Sequence, residues 1–403
     1  MQVFQFLRSN AQWLAAGALL SFLSSFGQTF FISIFAGKIQ DAFALSHGDW
    51  GGIYSLGTTA SAVAMVWAGG LTDRYRSRAL GAFVLTFLAA ACLFMAFNTS
   101  AWLLPLAIFA LRFGGQGMTS HIAVVSMSRW FIATRGKALS IAGLGIAVGE
   151  ALMPVTFVSL LLIFDWRMLW VIAALVALAG IPVLWRLLRE ERTPQSMAEM
   201  DQSAGMSDRH WRRPEVFRHW LFWFMVPALL GPPAFATAFF FHQVHYTEVK
   251  GWALLSFVAM IPIFTGVGVL SMVLSGMALD RFGTARVLPW FQLPLVAAFL
   301  LFSAAGSLWT LALGFVFLGM TQGMQQTLPN AFWAEFFGTR YLGSIKAMGA
   351  AVMVFGTALG PGLTGVLIDW QVGIEAQYIG IAAYFVFTTV MMQIGVRRAA
   401  RLL

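Results

Sequence analysis

Acidic residues are scarce in this chain: 16 Asp and Glu in 403 residues, against 25 Lys and Arg, with charged residues of both signs reaching only 10%. A soluble domain carries roughly 25%, so an ordinary water-exposed surface is excluded. Cysteine is scarcer still. Cys92 stands alone inside an apolar run, which excludes a disulfide within the chain and leaves the redox compartment undefined. There is no HExxH, no GxSxG with partners and no histidine cluster at ligand spacing among the 6 His. The constellations of an enzyme are missing, and no cofactor or metal is expected. A cleavable signal peptide is not expected either, because residues 1–10 run straight into a full-length apolar span.

What is present is apolar sequence, 59% of residues, with a mean hydropathy of +0.78. Runs long enough to cross a bilayer recur along the whole chain. They predict an all-α membrane protein with twelve spans, near 12–36, 50–70, 79–97, 102–128, 137–163, 167–187, 219–242, 252–275, 286–304, 308–332, 342–367 and 374–396.

The chain also repeats itself at an offset of about 206 residues. GGLTDRYRSR, with Gly69, Asp73 and Arg74, returns as GMALDRFGTAR, with Gly276, Asp280 and Arg281. Gln116–Met118 returns as Gln322–Met324, Thr134–Arg135 as Thr339–Arg340, and Asp165–Trp166 as Asp369–Trp370. GEALMP from Gly149 returns as GTALGP from Gly356. A duplicated six-helix bundle is how secondary transporters build a site between two halves. The halves are 1–188 and 219–403, joined by a polar linker over 189–218 with a surface helix expected near 214–219. Thirty such residues cannot bury a core of their own.

Basic residues set the orientation. With the amino terminus inside, 20 of the 25 Lys and Arg face the cytoplasm, and only Lys38, Arg167 and Lys250 face out. Both termini are then cytoplasmic. The net charge of +9 is explained by this bias and by anionic lipid rather than by nucleic acid.

GxLxDR with trailing basic residues, in the short loop after the second span and again after the eighth, where Ala278 replaces Leu71 but Asp280, Arg281 and Gly283 are kept, resembles the signature of the major facilitator superfamily, and the resemblance covers essentially the whole chain. It implies a carrier that rocks two six-helix halves about a central site, with Gly69, Asp73, Arg74, Gly276, Asp280 and Arg281 as a gating motif at helix ends. Gly69 and Gly276 are expected to let helices approach closely. LRFGGQG, from Leu111, resembles the family's basic motif on the fourth helix. Gly143, Gly145, Gly149 and Pro154 are similar in kind to the glycine–proline motif of its antiporters, although the spacing differs.

Only one acidic residue, Glu150, and one basic residue, Arg112, lie deep in spans, at depths about 5 Å apart. Each costs at least about 2.5–3.5 kcal/mol to insert. One reading is an ion pair that locks two helices. The other is functional: Arg112 forks an anionic substrate and Glu150 carries a proton. Gln28, Gln116, Gln322 and Gln326 are candidate substrate contacts, and His121, able to titrate near neutral pH, is a second candidate for proton coupling. A small organic anion, as in the monocarboxylate and oxalate/formate branches, is the leading substrate class. Export of drugs or other small molecules is the alternative. Met118, His121, Met320 and Met324 keep a copper(I) importer in view. The expected partners are thus a small solute, a coupling proton and the lipid bilayer, for a monomer in a bacterial inner membrane.

Overall fold

The computed structural model describes residues 2–69, 71–131, 135–190, 204–338 and 341–403, with the side chains of 2–5, 66, 73, 74, 128, 129, 135–137, 280, 342–344 and 347 outside that description. Among the described residues the chain is helical, and the only β pairing is a single bridge between Gly205 and Arg209. Twelve long helices follow one another among the described residues. They are α1 (Gln2–Leu23), α2 (His47–Ala68), α3 (Ser77–Phe97), α4 (Leu104–Leu111, then Arg112–Thr119, then Ser120–Trp130), α5 (Arg135–Leu160) and α6 (Trp166–Leu187). The second set is α7 (Trp220–Phe241), α8 (Ile261–Phe282), α9 (Leu293–Ala304), α10 (Leu308–Phe337), α11 (Leu342–Asp369) and α12 (Ile374–Ala399).

These helices overlie the twelve expected spans. Eight stretches among the described residues are long and apolar enough to cross a bilayer, or nine when Phe6–Gly27 and Thr29–Phe43, bent by 47°, count as one. The remaining three, α2, α4 and α10, carry the glycines, threonines and glutamines that lower hydropathy.

The chain divides into two compact units, 1–200 and 201–403. Inside the first, α1 packs on α5, α2 on α4 and α3 on α6; inside the second, α7 packs on α11, α8 on α10 and α9 on α12. The same pairing twice is the three-dimensional form of the sequence repeat. Small residues four apart explain the tightest pairs. A Cβ on Gly145 would lie 2.0 Å from the carbonyl of Ala18, and one on Gly149 would lie 2.1 Å from Ser25 Oγ. In the second unit, Gly356 and Gly360 face Leu230 and Ala234 of α7 in the same way. Gly276 corrects an expectation. A Cβ there meets open space, and the close approach on α8 is made by Gly268, against Gly323 of α10. Gly283, four residues after the helical Leu279, closes α8 with φ +76°, a conformation that glycine alone adopts cheaply.

The second half of the interhelical linker is not a free tether. Met206 and Val216 are fully buried in the second unit's core beside Phe332 and Phe337. Trp211 N donates to the Phe337 carbonyl (3.1 Å), and the expected short helix forms over Arg213–Arg218. The polar composition hides three apolar anchors, and these borrow a core that the linker lacks by itself. Residues 191–203 lie outside the described residues.

Candidate functional site

The first unit contains an interrupted helix. After Leu23 the chain turns through a 3₁₀ stretch, Ser24–Gly27, then Gln28 is extended (φ −87°, ψ 154°), and helix resumes at Thr29–Ile32. The local sequence, SSFGQT, favours the break. Ser24 Oγ donates back to the Ser21 carbonyl (2.7 Å), a bond that competes with the ladder and bends helices. Gly27 then fits where no side chain would. A Cβ at Gly27 would stand 2.2 Å from the Leu111 carbonyl and 2.7 Å from Gly115 Cα, both on α4.

α4 is irregular at the same level. Arg112–Thr119 is π-helical, and Thr119 Oγ1 donates to the carbonyl of Gly114, five residues back (2.6 Å). π-helical stretches inside α-helices are rare and are frequent at functional sites.

Arg112 joins the two irregularities. Phe31 and Ile32 both donate to Gln28, so the Gly27 carbonyl falls outside the helical ladder. Arg112 Nη1 donates to that carbonyl (3.2 Å) and to Thr29 Oγ1 (3.2 Å). The Thr29 hydroxyl bonds Tyr54 OH of α2 (2.5 Å), and the guanidinium sits over the Tyr54 ring, 5.4 Å from its centroid. Arg112 is 1% exposed. An orphaned carbonyl in a membrane interior costs several kcal/mol, and a cationic donor is a strong way to meet that demand. Among the described residues, Arg112 Nε and Ser25 Oγ, both buried, have no hydrogen-bond partner.

The candidates from sequence fall into separate groups. Gln28 lies at the α1 break, next to Gly27, and Gln116 lies in the π stretch, four residues after Arg112. Glu150 is half-buried on α5, next to Gly149, whose Cα face packs on Ser25 of α1. Glu150 is not among the hydrogen-bond or ring partners of Arg112 in the described residues. His121 goes elsewhere: its Nε2 lies 3.2 Å from the Gly69 carbonyl, which also accepts from Thr72 Oγ1 (2.8 Å). A candidate for coupling thus touches the first residue of the gating motif. The side chains of Asp73, Arg74 and Asp280 lie outside the described residues, while Arg281 is exposed above the Phe282 ring. Gln322 is half-buried and Gln326 exposed, both on α10 of the second unit.

Sequence reasoning missed Thr29, Tyr54 and Gln292. The last is fully buried at the start of α9. Its Nε2 donates to the Ala228 carbonyl, and its Oε1 accepts from Thr388 Oγ1 (2.6 Å). Ala228 lies four residues before Pro232, which has no N–H to give it. The i−4 carbonyl of each helical proline was a usable signal; its partner, distant in sequence, was not.

Duplicated units of membrane helices, an interrupted first helix and a buried arginine at the interruption define a multi-pass secondary transporter for a small solute. The family model for the Major Facilitator Superfamily matches residues 17–293 and 264–400, and the chain belongs to that family. Among solved structures it is similar to a bacterial homolog of the human lysosomal transporter Spinster, with TM-score 0.71, 16% identity, and 97% of this chain and 98% of that one covered. It is also similar to the nucleoside transporter NupG, with TM-score 0.73, 16% identity, and 96% and 98% covered. At such identity the likeness is one of fold. No curated protein sequence matches the chain.

Proposed function

We propose that the solute is a small organic anion such as a monocarboxylate, carried together with a proton by alternating access. The setting is a bacterial inner membrane, with both termini cytoplasmic and the chain acting as a monomer. One observation carries this reading: at the α1 break Arg112 places Nη1 on protein acceptors while Nε, buried, has no acceptor. The Nε–Nη2 edge of a guanidinium is a fork that matches a carboxylate. Ser25 Oγ, also unpartnered, is a further polar group at the same break.

Glu150 supplies the coupling carboxylate in this reading. Its neighbour Gly149 rests on Ser25, so α1 is the element that Glu150 and Arg112 share. A substrate anion engaging Arg112 neutralises a buried cation bonded to that same element. Glu150 then takes up a proton, and anion and proton cross together. Gln28 and Gln116 complete the polar surroundings of the anion, and Gln322 and Gln326 shape substrate choice from the second unit.

Proteoliposome uptake of a panel of small carboxylates, under an inward proton gradient, tests this. Glu150→Gln is expected to lose accumulation and keep exchange, and Arg112→Ala to lose both. If both variants transport like the parent, the anion reading fails, and efflux of hydrophobic compounds or copper(I) import takes its place.

A further inference from the structure

The second unit carries a basic pocket that no part of the transport mechanism uses. It lies where the start of the α9 region meets the end of α12, has a volume of about 360 Å³, and is lined by Ala285, Arg286, Pro289, Trp290, Arg397 and Ala400. Its two charged residues are both arginines, and no carboxylate lines it. Among the described residues neither guanidinium has a hydrogen bond or an ion pair, in contrast to Arg209, which pairs with Glu215, and to Arg398, which stacks on Trp220. Two like charges around one hollow repel each other, and the arrangement is relieved by an anion between them.

The rest of the lining says which anion. Alanine, proline and indole give the pocket an apolar wall, and Trp290 is exposed, as tryptophan is at a membrane interface. From the pocket, exposed apolar side chains run along both helices: Leu293 and Leu300 on α9, Ile394 and Val390 on α12. A phosphate ester held at the arginines would lay hydrocarbon along that surface. Arginine forks bind phosphate bidentately, and basic pockets between membrane helices are recognised sites for anionic headgroups.

We infer that Arg286 and Arg397 form a binding site for the phosphate of an anionic phospholipid, with Trp290 and the α9–α12 surface holding its glycerol and acyl part. The site lies in the second unit, apart from Arg112 and Glu150 in sequence and in fold, and does not rest on the substrate proposed above. It sits at the end of the unit rich in arginine, where Arg281, Arg398 and Arg401 also lie. Under the orientation set by basic residues that end faces the cytoplasmic leaflet.

Native mass spectrometry of the purified full chain, titrated with dioleoyl phosphatidylglycerol, reads the site directly. The parent is expected to retain one tightly held lipid. Arg286→Gln/Arg397→Gln is expected to weaken it roughly thirtyfold, the factor two basic side chains near a membrane surface contribute. Arg186→Gln/Arg189→Gln, which removes the same charge from exposed positions in the first unit, should leave it unchanged. Arg397→Gln alone, expected to show an intermediate loss, serves if the double variant does not fold. Equal retention by the Arg286/Arg397 variant overturns the site. Equal loss in both double variants also overturns it, since net charge then suffices. Inorganic phosphate separates the two sources of the chemistry. If it displaces the lipid, or protects the parent from thermal unfolding where the lipid does not, the occupant is a free anion and the lipid assignment falls.

Discussion

Gly27→Ala is the sharpest probe of the α1 break. The new methyl would lie 2.2 Å from the Leu111 carbonyl and 2.7 Å from Gly115 Cα, and both are backbone atoms that no rotamer change can remove. A relaxed carbon–oxygen contact is about 3.3 Å, so α1 and α4 must part by about 1 Å. Arg112 Nη1 reaches the Gly27 carbonyl at 3.2 Å already, and that separation takes it beyond hydrogen-bond range. Overpacking costs about 1–3 kcal/mol, and loss of a bond to a charged group adds about 1.5–3 kcal/mol. The sum, about 2.5–6 kcal/mol, is enough to deplete the folded protein. Gly52→Ala on α2 is the matched control, because its Cβ meets nothing within 4 Å; it should be neutral, or stabilising by up to about 1 kcal/mol through helix propensity. Thermal unfolding of both variants in detergent, followed by size exclusion, makes the comparison. If Gly27→Ala and Gly52→Ala unfold together, α1 and α4 are not packed through this glycine pair, and the geometry assigned to Arg112 is wrong.

Two other consequences follow from particular bonds. Gln292→Leu leaves the Ala228 carbonyl and the Thr388 hydroxyl unmet inside the second unit and should destabilise by about 2–4 kcal/mol; in a Pro232→Ala background, which returns an N–H to Ala228, the loss should shrink, and additive effects in this double-mutant cycle would refute the pairing. His219, just ahead of α7, accepts from Leu221 N through Nδ1, and burial, then the nearby Arg209 charge, hold its pKa below the usual 6.5. The folded state therefore prefers the neutral ring, the unfolded state binds the proton more readily, and stability present above 6.5 is lost as pH falls below it. His219→Asn keeps a capping oxygen and should flatten the fall of the unfolding midpoint as pH drops below 6.5.

Much of the architecture was written along the chain, for a physical reason: in a bilayer each span must satisfy its own backbone, so apolar run length alone locates helices. The GGLTDR/GMALDR and GEALMP/GTALGP segments likewise announced two equivalent bundles, and the paired folds of α1–α6 and α7–α12 follow. Composition also marked Arg112 and Glu150 as the two costly residues, because cost of insertion depends on residue type and depth. Composition misled at the linker, which is polar overall, yet Met206 and Val216 are buried in the second unit's core and Trp211 packs against it.

What residue type and depth cannot specify is who meets whom. That Arg112 closes on Gly27, that His121 lies against Gly69, and that Gln292 answers a proline 60 residues earlier are facts of helix rotation and packing. The sequence alone determined a twelve-helix duplicated transporter with one basic and one acidic residue placed deep in its spans. Only the tertiary structure decided that α1 breaks beneath Arg112, because that break needs two glycines, 27 and 115, brought to backbone contact from positions 88 residues apart.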